Sequence, residues 1–217
     1  MAVVMLATVV VGFANSETHR VGTGGPPLAL YVVAHAVLFA SRFVIFLVQT
    51  TLVATGRLAV HRRLGYVAAA AAAIMTVTGP WLAVSAARRG TLPGDGLAFM
   101  LVMIVDVVGF AIFVGLAIYY RKSSETHKRF MLLGTISMLG PAVSRWPFVT
   151  THGALVIPVF LGFLLAAPVR DLLAHRRVHP VSLWGGLALV ASGPLRFAIA
   201  QSAAWHHFAR RLIGLGL

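Results

Sequence analysis

Three histidines open apolar runs in the same way. His61 stands in His61-Arg62-Arg63-Leu64-Gly65 and His127 in His127-Lys128-Arg129-Phe130-Met131, while His179 precedes Pro180 behind Arg176-Arg177. Neutral imidazole is a good ligand for zinc, copper or iron, and carboxylates often join such sets. Asp171, shortly before His179, is the natural carboxylate, with Glu125 a second candidate. Three protein ligands and one open position make a catalytic metal site, where the ion activates water or dioxygen. The expected metal set is therefore His61, His127, Asp171 and His179, holding zinc for hydrolysis or iron for oxidation. The competing reading makes them boundary residues, since His and Arg at a membrane edge also anchor and orient helices.

A second group of residues sits inside the apolar runs: Arg42, Asp106, Arg145 and Arg196, with His35 as a further titratable side chain. Charges within a bilayer are costly and mark function by default. One aspartate neutralises only one of three arginines, so Asp106 is expected to pair with one of Arg42, Arg145 and Arg196. The remaining positive charge calls for a lipid headgroup, a quinone oxygen, a substrate carboxylate or a haem propionate. These five residues are the expected anion- or substrate-binding group. The alternative is a salt-bridge network that only holds helices together.

The elements that position all of these are membrane helices. Of 217 residues, 59% are hydrophobic and 11% charged, against roughly 45–50% and about 25% in soluble domains. That composition excludes an ordinary soluble enzyme and, equally, a disordered chain. Six runs are long enough to cross a bilayer: 27–55, 64–87, 96–120, 128–150, 153–170 and 182–203. A seventh, residues 1–15, rises only about 22 Å as a helix against a hydrocarbon core of about 30 Å. It reads as a short first span, with a cleaved signal segment as the alternative. The expected architecture is a single all-α domain over 1–217, a bundle of six or seven transmembrane helices.

The formal net charge of +13 fits orientation charges facing anionic lipid better than nucleic-acid binding. Ten Lys and Arg fall in 56–63, 121–129 and 170–179, and five fall in the links on the other side. The positive-inside rule makes the first face cytoplasmic and leaves the C-terminus outside. The helices that start at His61, His127 and His179 then run in one direction, so their first turns share a depth. Cysteine is absent, which excludes a disulfide, a thiolate metal site and c-type haem attachment. No nucleophile elbow, Walker loop or dinucleotide fingerprint is present.

His35, Gln49, Arg57, the His61 and His127 boxes and Arg145 together resemble a bacterial family of polytopic inner-membrane proteins to which no activity is assigned. Arg177-Val178-His179-Pro180, Trp184-Gly185-Gly186 and Pro194-Leu195-Arg196 are similar to that group as well. The order of histidines is also loosely similar to b-type cytochrome cores of the ferric-reductase kind. In those cores the haem histidines lie in stacked pairs within spans, whereas here only His35 does. The expected function is a metal-dependent membrane enzyme acting on a lipid-like or other hydrophobic substrate. The alternatives are a b-type haem or quinone-linked electron carrier, and a non-enzymatic transporter or structural subunit of a membrane complex. No inverted repeat favours the transporter.

Overall fold

A computed structural model gives the structure of residues 1–214, the side chain of His175 excepted. Every regular element among the described residues is helical. In chain order they are α1 (Ala2–Gly22), α2 (Leu30–Ala54), α3 (Leu58–Arg88), α4 (Gly96–Tyr119), α5 (Ser124–Ile136), α6 (Gly140–Val143) and α7 (Pro147–Thr151). A 3-10 turn (Gly153–Leu155) leads into α8 (Val156–His175), followed by α9 (Pro180–Ala200) and α10 (Ala203–Gly214). Six segments are long and apolar enough to cross a membrane: α1, α2, α3, α4, Gly153–Ala174 and α9. The chain is an all-α, multi-pass helical bundle. The large apolar side chains left exposed around it, Tyr66, Val77, Trp184 and Phe197 among them, are the surface expected of helices that face lipid.

The helix ends follow local chemistry. Gly56, at φ +72°, turns the chain sharply after α2, a conformation that an L side chain resists. Asp95 caps α4 by accepting from the Leu97 and Ala98 N–H groups at 3.1 and 3.2 Å. Helix α4 is the most apolar of the spans and the axis of the bundle, packed by α3, α5, α9 and α10. Phe110 on α4, Met75 on α3, Ile136 on α5 and Leu139 just beyond it form the centre of the core.

Two expectations need correction. The run 128–150 is not one span. Helix α5 has thirteen residues, about 20 Å at 1.5 Å per residue, or roughly two thirds of the hydrocarbon thickness. The chain then bends through α6 and α7, with a proline in the first turn of each. Such irregular backbone is tolerated at membrane depth only when protein covers it. Here Leu139, Val143 and Val149 are buried, the Trp146 indole donates to the Thr8 carbonyl of α1, and Asn15 donates to the Arg145 carbonyl. The run 1–15, expected as a short first span, forms from Ala2 onward the start of the 21-residue helix α1, longer than that run. A Cβ on Gly12 would clash with the Ala142 carbonyl oxygen. Glycine there lets α1 approach α6 backbone to backbone.

Candidate functional site

Three clusters occupy what the sequence suggested as one or two sites. The first is a histidine pair. His61 in the first turn of α3 and His127 in the first turn of α5 have ring centres 6.4 Å apart and planes at 87°. The Nδ1 of His127 lies 2.8 Å from the Ala117 carbonyl at the end of α4. A carbonyl only accepts, so His127 donates from Nδ1 and turns Nε2 away from that bond. That is the orientation a metal-binding histidine normally takes from its second shell. The Nδ1 of His61 is buried without a partner, and so is Oε1 of Gln49 on α2. The Gln49 amide lies close enough to α3 that a Cβ on Gly65 would touch its Nε2.

The second cluster is an ion-pair clamp, and it removes Asp171 from any metal set. Arg129 and Asp171 are 6% and 3% exposed. The Arg129 guanidinium grips both oxygens of Asp171 in a fork, Nε to Oδ2 and Nη2 to Oδ1. The Asp171 carboxylate also accepts from the Ser182 hydroxyl at 3.2 Å and the His179 backbone N–H at 3.3 Å. Arg129 reaches Glu125 as well. The clamp thus ties the start of α5 to the end of α8 and the start of α9. His179 acts as the N-cap of α9: its Nδ1 accepts from the Val181 N–H at 3.2 Å, with Pro180 at the first helical position. Burial, with Arg129 nearby, holds the His179 imidazole below its ordinary pKa, which keeps it neutral in that role. Hydrogen bonds from Lys128 and Arg129 pull the Glu125 carboxyl down to about 2.

Among the described residues, no group of three or more His, Asp or Glu side chains is placed to hold a metal. The expected set of His61, His127, Asp171 and His179 therefore does not assemble. His61 and His127 meet each other, while Asp171 and His179 are used in the clamp and the helix cap. Shared depth was a sound inference, but depth alone leaves open which way each helix turns its first residues.

The third group lies within the spans. Asp106 on α4 pairs with Arg196 on α9. Arg42 is 6% exposed on α2. It donates to the Thr135 hydroxyl at 3.1 Å and lies over the rings of Phe46 and Phe110. Arg145 donates to the Pro141 carbonyl and lies over Phe13. His35 stacks on Phe39 with ring centres 4.0 Å apart. Of these five residues, which come from α2, α4, α9 and the α6–α7 bend, Asp106 and Arg196 are paired with each other. Arg129 as the partner of Asp171 was not foreseen. The residues are 42 apart in sequence, and only the unmatched Asp in a basic link hinted at a buried partner. No protein-family model, curated protein or solved structure matches the chain.

Proposed function

We propose that the protein is a b-type haem electron carrier of the bacterial inner membrane, in which His61 and His127 would hold the haem. The carrying observation is the pair itself: two imidazoles on neighbouring helices, one with its Nδ1 fixed on a backbone carbonyl. A site with only two protein ligands suits a group that brings the rest of its own coordination, as haem does. Haem in such a position supplies one-electron transfer. The chain's own contributions are a His127 whose Nδ1 is held by the Ala117 carbonyl, a His61 whose buried Nδ1 has no partner, and Arg62 beside it for an acidic edge. The ten-to-five excess of basic residues supports a reading with this end of the bundle in the cytoplasm and the C-terminus outside.

The test is a visible spectrum and metal analysis of the detergent-purified protein. A Soret band that is lost in both His61→Ala and His127→Ala supports the reading. A colourless protein with stoichiometric zinc or non-haem iron returns the pair to the metal-enzyme class. Absence of any bound metal in haem-replete cells leaves a structural bundle and removes the proposal.

A further inference from the structure

Arg42 is a buried charge with no counter-charge. It sits midway along α2, and every Asp and Glu side chain is engaged elsewhere. Glu17 pairs with Arg20, Asp106 with Arg196, Glu125 with Lys128 and Arg129, and Asp171 with Arg129. Asp95 caps α4 and meets His206. What surrounds the Arg42 guanidinium is neutral: the Thr135 hydroxyl, the Met131 sulfur at 3.5 Å and the faces of Phe46 and Phe110. Aromatic faces and a hydroxyl soften the cost of a cation but do not neutralise it. The Nε–H of Arg42 is buried and has no partner at all.

The position of Arg42 along α2 adds a second, independent observation. His35, Arg42 and Gln49 are spaced by seven residues, which puts them on one stripe of the helix. Each of the three carries a buried polar atom without a partner, as does His61 beyond Gln49. The stripe covers about 21 Å of helix axis at 1.5 Å per residue, with the uncompensated cation at its centre. A fixed, uncompensated positive charge at this depth repels protons and metal cations and attracts anions. The Phe46 and Phe110 rings, Met131 and Thr135 flank the guanidinium, and none of them carries a negative charge.

We propose that Arg42 binds a small inorganic monovalent anion of the chloride class at mid-bilayer depth, reached along the His35–Arg42–Gln49 stripe. The anion completes the charge balance that the five carboxylates leave open. Nothing in this site depends on the histidine pair carrying haem.

The experiment compares thermal unfolding of the purified protein in sodium chloride, sodium bromide and sodium gluconate at equal ionic strength. Chloride and bromide at about tenfold excess over the dissociation constant should raise the midpoint by about 3–6 °C relative to gluconate. Arg42→Met should abolish the difference, and Arg145→Gln, at the other arginine without a carboxylate, should keep it. Chloride-35 NMR line broadening by the unmodified protein, reversed by bromide, reports the site directly and needs no variant. Equal midpoints in all three salts with no line broadening overturn the proposal. So does a chloride effect that survives Arg42→Met or disappears in Arg145→Gln.

Discussion

Replacing Asp171 by alanine should unfold the start of α5 and loosen its junction with α8 and α9. The carboxylate receives four hydrogen bonds, two from Arg129, one from the Ser182 hydroxyl and one from the His179 N–H. Its removal leaves a guanidinium that is 6% exposed with only Glu125 to face, and that carboxylate is about half exposed. Truncating one partner of a buried pair costs about 3–5 kcal/mol. For a chain of this length, 1 kcal/mol moves the midpoint by about 2–4 °C, so Asp171→Ala should lower it by roughly 6–20 °C. Circular dichroism of the detergent-purified variant measures the change. Glu125→Gln is the control: a surface pair is worth at most about 1 kcal/mol. The double variant Arg129→Met with Asp171→Leu removes both charges together and should recover most of the loss. An Asp171→Ala midpoint within 3 °C of the unmodified protein would refute the reasoning, because Asp171 would then not be the anchor of a buried charge.

Further outcomes can be stated briefly. Gly12→Ala pushes a methyl group into the Ala142 carbonyl and should cost about 1–3 kcal/mol; an unchanged midpoint would mean that α1 does not lie against α6. Glu125 has its pKa lowered from 4.5 to about 2, so its contribution is present above pH 4.5 and is lost as pH falls through about 2. The midpoint difference between the unmodified protein and Glu125→Gln should therefore shrink over that interval, and a difference that widens there contradicts the assignment. A cysteine placed at Ser124 should react with an impermeant maleimide only in inverted vesicles, and labelling of intact cells would reverse the orientation.

Much of the fold is legible in the sequence because lipid imposes one rule on every span: about twenty apolar residues. The runs at 27–55, 64–87, 96–120, 153–170 and 182–203 correspond to helices for that reason. Run 128–150 fails because an apolar stretch at membrane depth need not be helical if protein covers it. Pro141 and Pro147, each biasing the residue before it away from the helix, were the signal. The need for a partner for Asp106 was readable from the cost of a buried charge. That the partner is Arg196 and not Arg42 or Arg145 depends on how α4 and α9 are rotated, which no local pattern encodes. Likewise, His179 before Pro180 already has the form of an N-cap preceding a first-turn proline, whereas its shared depth with His61 and His127 suggested a ligand.

The short α5 has a consequence for how the chain enters the membrane. Its first turns hold Glu125, His127, Lys128 and Arg129, and it is not among the segments apolar enough to cross alone. At the moment α5 leaves the ribosome, Arg129 lacks Asp171 and the bend lacks the helix that covers it, because α8 has not yet been synthesised. Residues 124–174 are thus suited to enter as one hairpin after α8 emerges, docking against an α1 already in place. Biogenesis of this bundle then waits on Asp171, 42 residues downstream of Arg129. A ribosome stalled between α5 and α8 should leave Ser124 and its neighbours on the side where they were made.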